Sequence, residues 1–287
     1  MLREVEGASS QGMGYQERKR YLLGKLNELA ADLVLDKDKL KAFGERWKAG
    51  FHPYSFYNML LIWSQKLDAT LCAGFNQWKK HKRFVKRGEK ALWVLAPGFT
   101  KVIKKDEETG ANVETEEKQI AFFFPVPVFD YSQTDGQELE IGNTLINGNG
   151  NLKVEEVAKL FPYPLEFSQG IEDGSTDGKK ILISRRENKA QEVACYFHEL
   201  AHNLCGHLEE KRKAELTREQ KELEAEAVSY LVCACIGIEN DGAKYYVGAW
   251  NGDRDRLGKS ALRILRTAEK ILRKVKPESF QKRIGEN

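Results

Sequence analysis

No run in this chain approaches the roughly 20 consecutive apolar residues that a membrane span requires, and residues 1–14 lack the apolar stretch of a signal peptide. These absences leave no expected membrane partner and make the cytoplasm the expected location. Cysteine is scarce and unpaired. The five, Cys72, Cys195, Cys205, Cys233 and Cys235, sit among apolar neighbours without paired metal-ligand spacing, and their odd number argues against a complete disulfide framework. They are expected to be reduced core residues. An excess of one charge sign is missing too. The 46 Lys and Arg are nearly balanced by 43 Asp and Glu, for a net charge of +3, so only local clustering can point to a nucleic-acid partner. Internal repeats and long low-complexity segments are likewise absent. What is present is apolar material, 41% hydrophobic and 10% aromatic over 287 residues, enough for one large domain or two ordinary ones.

The Gly- and Ser-rich residues 1–14 are expected to form a disordered tail. Leu22, Leu23, Leu26, Leu29 and Leu33 then recur at helical spacing over residues 15–35. Further helices are expected over 40–48 and 55–65, the latter with Phe56, Met59, Leu60 and Trp63 on one face. Residues 92–96 and 120–130 read as strands, with the acidic stretch 106–119 between them as a solvated hairpin loop or insertion. Gly136, Gly142, Gly148 and Gly150 mark 133–151 as a linker. It divides a domain at 15–132 from one at 152–287. Beyond it the pattern predicts a short helix over 154–160, a strand over 180–184, helices over 188–207 and 218–235, and a basic amphipathic helix over 254–275. The fold class expected is α+β, a small mixed α/β domain followed by a mostly helical one.

The sharpest chemical signal is His198-Glu199-Leu200-Ala201-His202. Residues four apart share a helix face, so both imidazoles can reach one ion, and Glu199 can reach a water on it as general base. Zinc suits such ligands, one Zn2+ per chain, and its acidified water makes peptide hydrolysis the natural chemistry. A third ligand is expected from the carboxylate-rich helix carrying Glu222, Glu224 and Glu226. Glu226 is favoured because it lies deeper in the apolar segment and is followed by small residues. Glu222, on the same face, is the alternative ligand or the acceptor that holds a ligand histidine. Glu224 reads as solvated. A third histidine ligand in the spacing His-Glu-x-x-His-x-x-Gly-x-x-His would need Gly at 205 and His at 208, whereas the chain has Cys205 and Leu208. His207 is therefore expected near the helix end, beside the ligands. A base-deaminase site is excluded, since no Pro-Cys-x-x-Cys accompanies the motif.

From Trp78 to Lys90 the chain carries seven basic residues in thirteen. Trp78, Lys79, Lys80, Lys82, Arg83, Lys86, Arg87 and Lys90 are candidate contacts to single-stranded DNA, cations for phosphates and rings for bases. A solvated basic face over a core containing Trp78 and Phe84 fits the composition equally well.

Short motifs in both halves resemble the ArdC-like antirestriction proteins and the related LtrC-like proteins of mobile elements. In the first half these are Tyr54-Ser55-Phe56-Tyr57-Asn58, Ala73-Gly74-Phe75 with Trp78, Val85-Lys86-Arg87-Gly88-Glu89-Lys90, and Val128-Phe129-Asp130 with Gln133-Thr134. In the second they are the metal motif, Gly206-His207, residues 222–231 and Gly248-Ala249-Trp250. The resemblance implies a single-stranded-DNA-binding domain followed by a zincin-like metallopeptidase domain, carried by a mobile element and acting on an unidentified protein substrate. Two other readings stay open: a pure DNA-binding protein whose metal is structural, and a repressor-cleaving peptidase that does not bind DNA.

Overall fold

Leucines three and four residues apart build the first helix, α1 (Tyr15–Val34), in which Leu22, Leu26, Leu29 and Leu33 are buried and Leu23 is exposed. The structure is a computed structural model that describes residues 13–48, 54–105, 112–139, 152–168, 174–238 and 254–276. The expected tail, apart from Met13 and Gly14, and Gly248-Ala249-Trp250 lie outside the described residues. Among the described residues no helix is long and apolar enough to cross a membrane.

The chain forms two compact units that interleave in sequence. One holds the described residues of Leu61–Gln137 with those of Glu4–Lys25, and the other holds Leu26–Leu60 with the described residues of Glu138–Asn287. This division does not follow the single linear cut that the Gly-rich stretch predicts, because α2 (Lys37–Lys48) packs against α8 (Arg218–Ile236) of the second half.

The first unit is built on β1 (Cys72–Ala73), α4 (Phe75–Lys80), β2 (Arg83–Val85), β3 (Leu92–Lys105), β4 (Asn112–Asp130) and β5 (Thr134–Gly136). β4 lies between β1 and β3, antiparallel to both, and β2 pairs with β5 as a separate ribbon. Two expectations are corrected here. Residues 112–119, read as loop, are strand: β3 and β4 form one long hairpin whose arms satisfy their backbone groups by pairing. Its expected loop residues 106–111 lie outside the described residues. The linker also begins later than 133, because Gln133 is buried and Thr134–Gly136 is paired.

The buried Asp130 ties this unit together. One carboxylate oxygen accepts from the backbone N–H groups of Thr70 at 2.6 Å and Leu71 at 3.1 Å. The other accepts from Ser132 N at 3.0 Å and Ser132 Oγ at 2.6 Å. Gln133 completes the turn by accepting from Asp130 N at 2.9 Å. Asp130→Ala strands several of these donors, so the full chain is expected to lose about 3 kcal/mol of stability, read from its urea midpoint, in line with roughly 1.5–3 kcal/mol for a hydrogen bond to a charged group.

The second unit contains α2 (Lys37–Lys48), α5 (Val154–Ala158), β6 (Leu165–Ser168), β7 (Gly174–Thr176), β8 (Ile181–Ser184), α6 (Lys189–Leu204), α7 (Glu210–Glu215), α8 (Arg218–Ile236) and α9 (Arg254–Val275). The helix α3 (Phe56–Gln65) begins in this unit. β8 is the middle strand, parallel to β6 and antiparallel to β7. Neither β6 nor β7 was expected from the sequence. α6, α8 and α9 pack in succession, with Val193, Phe197, Leu200, Val228, Leu231, Ile264, Leu265 and Ile271 buried. Phe56 meets Phe43 and Trp47 edge to face at ring separations of 5.2 and 5.9 Å. Glu269 on α9 accepts from Phe56 N at 3.0 Å, and Tyr57 Oη donates to Leu262 O at 2.6 Å, fixing the start of α3 to α9.

Candidate metal centre and nucleic-acid surface

α6 forms where Asn188 caps it, its side chain accepting from Ala190 N at 3.0 Å. The helix buries Val193, Tyr196, Phe197, Leu200 and Ala201, which turns His198 and His202 toward α8. α8 opens with a capping box between Thr217 and Gln220 and ends at Gly237 in the left-handed conformation. Ser229 Oγ donates to Ala194 O at 2.8 Å and thereby sets the register of the two helices.

Three ligand-type atoms converge. His198 Nε2 and His202 Nε2 are 3.1 Å apart, and Glu222 Oε2 lies 3.3 Å from the first and 3.6 Å from the second. A tetrahedral ion with bonds of 2.0–2.1 Å spaces its ligand atoms roughly 3.3–3.4 Å apart, so the three atoms fit such an ion. Glu226, the expected third ligand, is elsewhere: its Oε2 lies 2.9 Å from His198 Nδ1. A proton donated from Nδ1 to Glu226 leaves the Nε2 lone pair facing the cluster. Glu222 thus stands where Glu226 was expected, because the turn of α8 carrying Glu222, not the deeper one, faces the Nε2 edges.

Burial opposes charge on His198, but its hydrogen bonds to Glu222 and Glu226 outweigh burial and hold its pKa up at about 10. The same bonds from His198 and His202 hold the Glu222 carboxyl well below the usual carboxylate range. The cluster thus holds a proton that a cation would displace.

Glu199 is nearly buried, against the backbone of Gly174 at the start of β7. A Cβ at Gly174 would come within 3.0 Å of Glu199 Oε1 and 2.7 Å of Cys195 Sγ, so the strand can pass this close only as glycine.

His207 is buried below His202, with their Nδ1 atoms 3.0 Å apart. Burial pushes its pKa down. Glu224, expected in solvent, is 0% exposed. It takes His207 Nε2 at 2.9 Å and accepts from Ser260 Oγ at 2.7 Å and from Arg263. No feature of the sequence around Glu224 marks it, since its partners on α9 lie some forty positions on. The cysteines are free, and all but Cys195 are buried.

The basic segment divides. Trp78 is buried with Nε1 donating to Phe129 O at 2.9 Å, which leaves no ring face for a base. Arg83 is also buried. It donates to Thr134 Oγ1 at 2.8 Å and to the carbonyls of Thr134 and Gln137 at 2.9 and 2.6 Å, with its guanidinium 3.9 Å over the Tyr131 ring. Both are structural, a correction to their expected contact role. Lys79, Lys80, Lys82, Lys86, Arg87 and Lys90 are exposed. Phe84, which one reading placed in the core, is exposed as well.

Sequence reasoning missed a second surface of this unit. Phe99, Ile120, Phe122 and Phe123 are exposed on the hairpin. A register shift after Gly98 sets Phe99 opposite Ile120 and Gly98 opposite Phe122, so Phe99 and Ile120 share one face and Phe122, opposite the neighbouring Gly98, lies on the other. The Phe122 ring lies over Gly98 and 6.0 Å from the Phe124 ring. The pairing of Phe99 with Ile120 follows from cross-strand register, which no local pattern reveals.

The α/β fold and the two-histidine, one-carboxylate cluster define the class: a mixed α/β protein with a helix-borne candidate metal centre in one unit and a long antiparallel hairpin in the other. Residues 16–129 match the family model of the N-terminal domain of anti-restriction factor ArdC. The likeness is to that N-terminal domain, over this part of the chain. The crystal structure of the antirestriction ArdC protein from plasmid R388, metal-free, superposes with a TM-score of 0.53 at 17% identity, covering 90% of this chain and 99% of that one. Its Mn(II)-bound structure gives 0.53 at 16% identity, covering 89% and 98%. An uncharacterized protein of Bacillus anthracis is 28% identical over 78% of this chain, and this chain spans about half of it, 46%.

Proposed function

We propose that this chain is an antirestriction-type protein that binds single-stranded DNA through the unit containing β3 and β4 and carries a zincin-like, metal-dependent peptidase centre in the other. The observation that carries the enzymatic part is the convergence of His198 Nε2, His202 Nε2 and Glu222 Oε2 at tetrahedral spacing, with Glu199 adjacent. These residues would hold one divalent ion per chain. Two imidazoles and a carboxylate suit Zn2+, and manganese is the alternative, being the ion of the R388 structure. When bound, the ion supplies a Lewis acid for a carbonyl and lowers the pKa of a coordinated water. Glu199, nearly buried and close to His198, takes the proton of the attacking water and returns it to the leaving amine. The cytoplasm, where incoming DNA meets restriction enzymes, is the place of action.

Glu199→Gln is expected to lower cleavage of a protein substrate by about 10²–10⁴-fold, the usual contribution of a positioned base, with metal content and DNA affinity unchanged. New protein N-termini in cells expressing the zinc-loaded wild type and absent with the variant would supply both readout and substrate. Equal protection of incoming DNA by wild type and variant would instead assign protection to DNA coating alone, leaving the ion a structural role.

A further inference from the structure

We propose that His207 and Glu224 are positioning residues for the metal centre, a buried pair that fixes the orientation and tautomer of His202 from below and anchors it to α9. This rests on the metal-centre reading above. The local cause is the end of α6. Gly206 adopts φ +74, so Gly206 N donates to Asn203 O at 3.1 Å and His207 N to His202 O at 3.0 Å. That pair of bonds is the left-handed helix stop, and it folds the chain back one turn. The reversal puts the His207 ring against His202, with ring centroids 5.0 Å apart.

The hydrogen-bond directions then follow without choice. Two Nδ1 atoms 3.0 Å apart share one hydrogen. With His202 Nε2 given to the cluster, its proton lies on Nδ1 and is donated to His207 Nδ1. The proton of a neutral His207 must then lie on Nε2, where it is donated to Glu224 Oε2 at 2.9 Å. The opposite oxygen, Oε1, accepts from Ser260 Oγ at 2.7 Å and from Arg263. Every buried polar atom along this line has a partner in that one arrangement, and the reverse arrangement would put the proton on the nitrogen that faces the ion. Partners that fix the far nitrogen of a ligand histidine typically contribute 10–100-fold to metal affinity.

The same residues invite a rival assignment. Cys205, His207 and Glu224 are buried with ligand-type atoms within 4.8 Å of one another, as a second ion site would be. The guanidinium of Arg263 on Glu224 opposes a cation there, and Cys205 Sγ is already paired with Thr267 Oγ1 at 3.4 Å.

The test titrates the full chain with Zn2+ and Co2+ against a chromophoric chelator and records the visible cobalt bands. His207→Phe, which fills the space without a hydrogen bond, is expected to lower affinity 10–100-fold and shift the cobalt bands. His207→Asn, which keeps an acceptor near the Nδ1 position, is expected to recover most of the affinity and the wild-type bands. If His207→Phe does not fold, Glu224→Gln takes its place under the same criterion. One ion in the wild type, with unchanged affinity and spectrum in these variants, overturns the positioning role and leaves the metal centre standing. A second ion lost on Cys205→Ala overturns it in favour of the rival site. No ion in the wild type removes the metal centre itself and the proposal with it.

Discussion

Glu222→Ala is expected to leave the purified protein without a bound divalent ion, whereas Glu226→Ala keeps one ion per chain at an affinity lowered about 10–100-fold. Plasma mass spectrometry after dialysis, followed by chelator competition, separates the two results. The asymmetry follows from which nitrogen each carboxylate meets. Glu222 lies 3.3 and 3.6 Å from the two Nε2 atoms that define the cluster, so its loss removes a ligand. Glu226 lies 2.9 Å from His198 Nδ1, so its loss frees a ring to rotate and leaves all three ligands. Retention of the ion in Glu222→Ala with loss in Glu226→Ala would show that the ion sits on the other edge of His198.

The same experiment has a definite pH dependence. His198 is raised from 6.5 to about 10 without metal, so at neutral pH an entering ion displaces a proton. Affinity is expected to rise with pH by up to about tenfold per unit below pH 10, with close to one proton released per ion. Calorimetry in two buffers of different ionisation enthalpy measures that release. For the metal-free protein the sign runs the other way at the alkaline end. The raised His198 contributes stability that is full below its ordinary 6.5 and is lost as pH rises through about 10. The depressed Glu222 contributes stability present above its ordinary 4.5 and lost in acid. Both describe one ion pair, which holds His198, His202 and Glu222 together across the intervening range.

Much of α6 is legible in the sequence because its pattern is local. His198 and His202 are four apart on one helix, and α9 begins and ends where its periodicity predicts, at Arg254–Val275. The carboxylate of the cluster is legible only as one of two, since Glu222 and Glu226 share a helix face. Choosing between them needs the register of α8 on α6, set by contacts such as Ser229 to Ala194. Glu224 fails for a related reason. A glutamate in a carboxylate run reads as solvated, and the Arg263 and Ser260 that make its burial tolerable are recruited from a different helix. β7 escapes because Gly174–Thr176 is three residues of loop-like composition made strand by β8, and the polar arms of β3 and β4 escape because cross-strand pairing, which leaves no mark in a polar sequence, makes them strand.

The clearest result in the other unit is expected from Phe99→Ala combined with Phe122→Ala, which should weaken single-stranded DNA binding at least about 30-fold, from roughly 1–3 kcal/mol per stacked base. Removing rings removes no charge, so the salt dependence of binding should keep its slope. Lys79→Ala with Lys80→Ala should do the reverse, lowering affinity while flattening the slope by about 0.7 for each phosphate that is no longer neutralised. Anisotropy of a labelled oligothymidine at several salt concentrations, on the full chain, reads both quantities. The contrast separates two surfaces that composition merges. Trp78 and Arg83, the most DNA-like residues of the basic segment, are committed to Phe129, Thr134 and Gln137, so their substitution should act through folding and lower the urea midpoint as well as binding. Phe99 and Phe122 are exposed at 57% and 50% on a paired ribbon, where truncation to alanine disturbs no core and any fall in affinity reports stacking on the DNA itself. Wild-type affinity in the double alanine variant would exclude stacking on these hairpin rings and return DNA binding to the exposed cations alone.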